Sequence, residues 1–545
     1  MNRSQKLILF SVVFLCLLFF TGINALATVL NQTPSPYLST GFPQVVVVSG
    51  TNYEMGVQYG RQTAPAILHN MVIFKSKLYD AHGSDNVTKD MQVWDYYLMQ
   101  HDPMLRDWIR GISDGCSQKG YSVSYLDLIL LMVYPTELWS RPKAPYPQMT
   151  GMETQNTSAV TQFKSRDRYH SCNTFAANGT ATPDGKPIQG ITSMVSTEAM
   201  DNIILIAFPK EGASFVSQTY AGRVNGNSAM NSEGFVWTMT AILSDDPSWG
   251  LTEVYFHYLA QLTKSPAGAE AYLENTPRGG VTGGFIMTDK SGNISVFECN
   301  AGHFSKRKPG DAGEPGPWVV QTNHLIDPSL HEYNPPWLGV IGTYTRYDTV
   351  FQYLKEAPSK KIDFSFAKRL LASDDWFEAA TGKWHRNEPG AQGISNNRTS
   401  VAQSIFFPAD LTAYLQTGTP SGIGLPAYAT GEYVKIKLAT EPKKVVDQAD
   451  ADALAFYWDA TGSFQHDLNA KAPYLTIPVV EDIREKLDQS FTAYSLGMDR
   501  AAFANIEGDA QKKLNLWASA LTYYAKAQLY AQMAKTSLLK ASTGN

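Results

Sequence analysis

Cys172 stands in the stretch Arg168-Tyr169-His170-Ser171-Cys172-Asn173-Thr174-Phe175-Ala176-Ala177, which runs on to Thr182-Pro183-Asp184-Gly185-Lys186. Proline presets φ, and Asp and Gly suit the later positions of a tight turn. The stretch therefore reads as strand, turn, strand, with Cys172 at the start of the first strand. A thiol there serves either as a nucleophile or as a buried space-filler, and spacing alone does not separate the two. Cys116 and Cys299 are the other thiols beyond the N-terminal apolar run. An odd count leaves at least one thiol unpaired or paired between chains; a Cys116–Cys299 disulfide with Cys172 free is one arrangement. The chain has no CxxC, HExxH or P-loop, and its 10 histidines are scattered, so no metal site and no cofactor are expected.

The elements around this cysteine follow from composition and periodicity. The 545 residues carry a formal net charge of -5 with no block of like charges, which weighs against a nucleic-acid partner. The N-terminus has the form of an export signal: Arg3 and Lys6, an apolar run over 7–20, then Ala25-Leu26-Ala27 as a cleavage site. This predicts a secreted or periplasmic protein, with no stable membrane insertion once the signal is gone. Residues 44–48 form a β-branched strand, and the spacing of Met55, Ile67, Met71 and Phe74 predicts a helix over 53–79. Further helices are expected near 91–111 and 125–138, then an exposed loop over 144–166.

From 172 the chain becomes rich in strands: 172–177, 187–193, 203–207, 214–219, 223–230, 235–241, 284–288, 294–298, 318–322, 401–407 and 433–438. Helices are expected at 251–262, 267–274, 347–356 and 364–371, and strict β-α alternation is absent. The pattern predicts an α+β fold of antiparallel sheets with helices outside. Beyond 439 the chain is again helical, at 447–458, 478–498 and 509–540, and reads as a cover on the core, with partner binding as the alternative.

The Cys172 hairpin, ending Lys186-Pro187-Ile188-Gln189-Gly190, resembles the nucleophile hairpin of the isopenicillin-N acyltransferase family, among the N-terminal nucleophile (Ntn) hydrolases. The resemblance continues, in order, through Ser49-Gly50-Thr51-Asn52-Tyr53-Glu54-Met55-Gly56, Met230-Asn231-Ser232-Glu233-Gly234-Phe235, Gln321-Thr322-Asn323-His324, Tyr344-Thr345-Arg346-Tyr347 and Phe406-Phe407-Pro408-Ala409-Asp410-Leu411. It spans roughly residues 44 to 438, and the joint order is more specific than any one piece.

The resemblance implies a four-layer αββα sandwich, to which the reading above adds an N-terminal helical segment and a C-terminal helical extension. Together with the export signal and the helical tail read above, the expected divisions are a signal at 1–27, a mostly helical segment at 28–171, a catalytic core at 172–438 and an extension at 439–545. The resemblance implies self-cleavage between Ser171 and Cys172, giving two chains of one precursor. The freed α-amine, ordinarily near 7.7–8.0, would serve as base for its own thiol, ordinarily near 8.5. Asn323 is carried over as oxyanion donor, Asn231 as a second site asparagine and Arg346 as the arginine that orders the nucleophile. His170 and His324 read as structural.

The implied substrate is a small linear or N-acyl amide, taken through a Cys172 acyl-thioester. The sequence departs from the family where Ile191 and Met194 stand in place of an arginine and an aspartate. A phospholipase-B-like lipid hydrolase and a non-catalytic binding protein on the same scaffold remain as alternatives.

Overall fold

The computed structural model describes residues 44–133, 142, 146–147, 171–194, 202–224, 226–242, 248–251, 256–279, 282–335, 342–373, 375–386, 400–417 and 432–544. The export signal, most of the 144–166 loop and His170 lie outside the described residues.

Strand β1 (Gln44–Gly50) opens the described chain. Helices α1 (Asn52–His82), α2 (Ser84–His101), α3 (Pro103–Gln118) and α4 (Tyr125–Val133) follow. A capping box starts α1: Thr51 Oγ1 accepts from the Glu54 N–H, and Glu54 Oε2 accepts from the Thr51 N–H at 2.8 Å. The single helix expected over 91–111 is two. Asp102 breaks it by accepting from the Leu105 N–H at 3.0 Å, with Pro103 opening α3. Glycine lets α1 and α3 touch backbone to backbone, since a Cβ on Gly56 would lie 2.1 Å from the Trp108 carbonyl oxygen.

The strands form two large sheets. The eight-stranded sheet has the order β1-β4-β5-β6-β7-β8-β9-β10. It is built from β1, β4 (Asn202–Pro209), β5 (Phe215–Tyr220), β6 (Ser228–Asn231), β7 (Val236–Ile242), β8 (Thr282–Thr288), β9 (Ile294–Cys299) and β10 (Phe304–Arg307). The six-stranded sheet has the order β11-β2-β3-β14-β15-β16. Its strands are β11 (Trp318–Gln321), β2 (Ser171–Ala177), β3 (Ile188–Met194), β14 (Ser400–Phe407), β15 (Thr412–Thr417) and β16 (Val434–Lys437). A separate small hairpin pairs β12 (Trp376–Glu378) with β13 (Lys383–His385).

The chain is thus a mixed α+β fold, and its pairing departs from all-antiparallel at one edge. β1 runs parallel to β4, Gln44 beside Ile203, so a strand from the N-terminal segment is part of the larger sheet. The sequence reading also lacked β10, β12, β13 and β15. These are short or half-exposed strands, except β15, whose alternating Ala413 and Leu415 are buried.

Alternation of side chains divides the core. Val46, Val48, Ile203 and Leu205 face the cluster shared with α1–α4, whereas Val45, Val47, Ile204 and Ile206 face the opposite way. On the six-stranded sheet, Phe175, Ile188 and Val320 pack with Val350 and Leu354 of α7 (Thr343–Glu356) and Leu370 of α8 (Phe364–Leu371). Ala176 and Val319 of that sheet meet Ile286, Ile294 and Val296 of the other. Helices α5 (Phe256–Gln261) and α6 (Pro266–Asn275) lie between β7 and β8 in sequence.

Three long helices end the chain: α9 (Pro442–Asn469), α10 (Ile477–Ile506) and α11 (Ala510–Thr543). Side chains of α11 bond to one edge strand of each large sheet. Thr522 accepts from the Val45 N–H at 3.1 Å on β1, and Gln528 Oε1 accepts from the Lys435 N–H at 2.8 Å on β16. Further along the same edge β1 is met by α1, where Gln58 exchanges two 2.8 Å hydrogen bonds with the Ser49 backbone. Unpaired edge groups are a pairing hazard, and these side chains close them. Among the described residues no helix is long and apolar enough to cross a membrane.

Candidate active site

Cys172 is the second residue of β2 and fully buried. β2 sits between β3, where Cys172 faces Ser193, and β11, where Gln321 faces Thr174. Continuing that antiparallel register past the end of β11 brings Asn323 beside Cys172. The contact is made: Asn323 Oδ1 accepts from the Cys172 backbone N–H at 2.8 Å.

Arg346 completes the group from the first turn of α7. Its Nη1 donates to the Cys172 carbonyl at 2.8 Å and to Asn173 Oδ1 at 2.6 Å, and its Nη2 donates to Asn323 Oδ1 at 2.9 Å. Both backbone groups of Cys172 are therefore held, one by an amide and one by a guanidinium. Three of the four catalytic residues read from the sequence come together here. The fourth does not.

Arg346 is 1% exposed, and among the described residues no carboxylate is one of its hydrogen-bond partners and its buried Nε has none. Burial pulls the guanidinium down to about 10, and a thiolate at Cys172 pulls the other way. It stays charged at neutral pH beside the Cys172 backbone. The side chain turns inward, toward Cys172, Asn173 and Asn323.

The Asn323 amide has one orientation. Its oxygen faces two donors, and its Nδ2 donates to the Ala241 carbonyl of β7 at 2.8 Å, across to the other sheet. Its backbone N–H donates to Thr343 Oγ1 at 2.9 Å. Thr322 donates to the Thr343 carbonyl at 3.1 Å, and Thr240 Oγ1 donates to the Thr322 carbonyl at 2.6 Å. Behind this, Arg307 binds Glu298 and Glu314 and donates to Gln321 Oε1 at 2.7 Å. Gln321 Nε2 in turn donates to the His324 carbonyl at 2.8 Å. The loop that carries Asn323 is thus fixed from both sheets and from α7.

Asn231 is a turn-builder, not part of this group. Its Nδ2 donates to the carbonyls of Ala260 at 3.1 Å and Thr263 at 2.7 Å. Its Oδ1 accepts from the N–H groups of Glu233 at 3.1 Å and Phe235 at 3.2 Å. All its polar capacity goes into the β6–β7 turn and the end of α5.

The asparagine that reaches the thiol is Asn227, whose Nδ2 lies 3.9 Å from Cys172 Sγ. It sits at the end of the β5–β6 connection, where the sequence reading ran a strand over 223–230. The strand begins only at Ser228. The glycine pair flanking this stretch, Gly222 and Gly226, was the available signal for a tight connection. Asn173 was also missed: successive strand residues face opposite ways, so Asn173 points to Arg346 while Cys172 points to the second sheet. Thr174, on the Cys172 side, meets Thr238 Oγ1 of β7 at 2.6 Å.

Ile191 is 1% exposed and pairs with Thr174, and Met194 pairs with Ser171. His324 is structural. Its Nδ1 lies 3.1 Å from Thr322 Oγ1 and 3.0 Å from Thr343 Oγ1, and burial with the Arg346 charge pushes it down to about 3. Cys116 and Cys299 form no disulfide. Burial raises their thiols to about 12 and about 11. Among the described residues no group of three His, Cys, Asp or Glu is placed to hold a metal ion.

Comparison with known proteins places residues 180–374 in the family model described as Acyl-coenzyme A:6-aminopenicillanic acid acyl-transferase. An uncharacterized protein of Archaeoglobus fulgidus is 26% identical over 290 residues, 49% of this chain and 46% of that protein. The match thus spans about half the length of that curated relative. Among solved structures, a conjugated bile acid hydrolase from Clostridium perfringens is similar at 12% identity over 49% of this chain and 93% of its own, with a TM-score of 0.33. A Caenorhabditis elegans N-acylethanolamine-hydrolyzing acid amidase ortholog is similar at 14% identity over 44% and 93%, with a TM-score of 0.29. Penicillin V acylase from Agrobacterium tumefaciens is similar at 14% over 49% and 92%, also with a TM-score of 0.29.

Proposed function

Residues 180–374 belong to the acyl-coenzyme A:6-aminopenicillanic acid acyl-transferase family, and from that premise we propose that the chain is an exported N-terminal-cysteine amidohydrolase or acyltransferase of αββα architecture. Cys172 Sγ attacks the Ser171 carbonyl carbon, the peptide nitrogen leaves as the Cys172 α-amine, and water cleaves the resulting thioester. The mature protein then has two chains, 28–171 and 172–545.

In turnover the α-amine takes the thiol proton, and the sulfur attacks the carbonyl of a small N-acyl amide. The amine returns that proton to the leaving nitrogen. An acyl-thioester remains, which water or an amine acceptor resolves. No separate histidine is needed.

One observation carries this reading: the N–H and C=O of the same residue, Cys172, are held by Asn323 and Arg346. An oxygen acceptor on the Cys172 nitrogen serves both states of that atom. It binds an amide N–H before cleavage and an amine N–H after it. The export part of the proposal rests on the basic start, the apolar run and Ala25-Leu26-Ala27 alone.

A second reading, a binding protein on the same scaffold, is favoured by buried Ile191 and by Met194, apolar residues at the family's charged positions. Intact mass and a denaturing gel separate the two. The first reading expects fragments beginning at residues 28 and 172, a Cys172→Ala chain that stays whole, and turnover of N-acyl amides in preference to phospholipids. A wild-type chain that stays whole under native conditions supports the second.

A further inference from the structure

Acyl transfer at Cys172 creates an oxyanion on the carbon bonded to Sγ, and something must donate to it. Asn323 is the family-derived choice, but its atoms are committed. Its Oδ1 accepts from Cys172 and Arg346, and its Nδ2 donates to Ala241 of the facing sheet. We propose that the oxyanion donor is Asn227, and that Asn323 instead holds the Cys172 nitrogen. This assignment rests on the nucleophile reading of Cys172 given above.

The geometry favours it in three ways. Asn227 Nδ2 lies 3.9 Å from Sγ, too long for a strong bond to sulfur itself. The oxyanion oxygen is two bonds from the sulfur, across the attacked carbon, and a useful donor stands about 3 Å from that oxygen. A donor 3.9 Å from Sγ also reaches that oxygen where the new C–O bond points to the side of the sulfur that faces Asn227.

Next, the Asn227 backbone is fixed, which sets the point from which its amide reaches toward Cys172. Its carbonyl accepts from the Met239 N–H at 2.8 Å. The preceding Gly226 N–H donates to Ser217 Oγ at 3.1 Å, and a Cβ on Gly226 would lie 2.0 Å from the Gln218 carbonyl oxygen. Only glycine allows that approach, and it sets where residue 227 begins.

Finally, Asn227 is half-buried while Cys172, Asn323 and Arg346 are fully buried. It stands at the outer side of the group, where a substrate carbonyl would arrive. The donor comes from the β5–β6 connection of the eight-stranded sheet and the nucleophile from β2 of the six-stranded sheet, so packing of the two sheets assembles the site.

The test uses the full-length protein and its Asn227→Leu and Asn227→Ala variants. Leu keeps the approximate shape and removes the donor without adding a charge beside the thiol. A series of N-acyl aminocoumarins reports turnover, and iodoacetamide reports the reactivity of the Cys172 thiol, a reaction with no oxyanion. Urea unfolding checks that each variant is folded. The expected result is a fall in kcat of about 10²–10³ for both variants, with KM and the alkylation rate near those of the wild type. Folded variants with unchanged kcat overturn the donor while leaving the nucleophile reading intact. Equal losses of turnover and of alkylation also overturn it, because the residue then acts on the thiol. A wild-type protein with neither self-cleavage nor turnover removes the underlying reading, and the oxyanion assignment falls with it.

Discussion

Asn323 Oδ1 receives the backbone N–H of Cys172 at 2.8 Å, although 151 residues separate the two. The same oxygen receives Arg346 Nη2 at 2.9 Å, so a single amide joins the strand that carries the thiol to the helix that carries the charge. A buried acceptor with two donors, one of them cationic, is strong and geometrically exclusive. This junction, more than the thiol, defines the site.

Arg346→Lys should slow self-cleavage by at least about 10²-fold. A point ammonium cannot reproduce a planar fork that spans Cys172 O, Asn173 Oδ1 and Asn323 Oδ1. A denaturing-gel time course after refolding measures this. In the wild type, activity should also decline as pH rises through about 10, where the buried guanidinium loses its proton. Its folded value lies below its free value, so the unfolded chain binds more protons in that window. This group therefore gains stability there, and the loss of activity should precede unfolding.

Asn231→Ala should cost about 2–3 kcal/mol of stability, because it strands two carbonyls and two N–H groups at the β6–β7 turn. The alkylation rate of Cys172 in the folded variant should match the wild type. Urea unfolding and thiol labelling measure the two separately. A selective loss of thiol reactivity would return Asn231 to the site.

His324 should make the protein acid-sensitive. Its folded value is pushed down to about 3, below the ordinary value of 6.5. The unfolded chain therefore binds the extra proton between these limits. The stabilising contribution is full above about 6.5 and is lost as pH falls toward about 3, at up to about 1.4 kcal/mol per pH unit. His324→Gln should flatten that part of the stability–pH curve, read by urea midpoints at several pH values.

Sequence by itself determined most of the longer elements and the order of the motifs. Local signals sufficed for the β2–β3 hairpin, because Pro183-Asp184-Gly185 and flanking apolar residues act over a few positions. The long C-terminal helices were equally legible from propensity, though their ends reached further than expected. Cys172, Asn323 and Arg346 were named from motif order, and they meet.

Only the tertiary structure decided what each polar side chain does. Asn231 and Asn227 are the same residue type, four positions apart, in one short stretch. One spends its amide on a turn and the other points at a thiol on the opposite sheet. No local pattern separates them, because an asparagine's partners depend on which distant backbone groups lie beside it. The parallel placement of β1 beside β4 was hidden for the same reason: strand pairing joins segments far apart in sequence, and a run of valines carries no record of its neighbour.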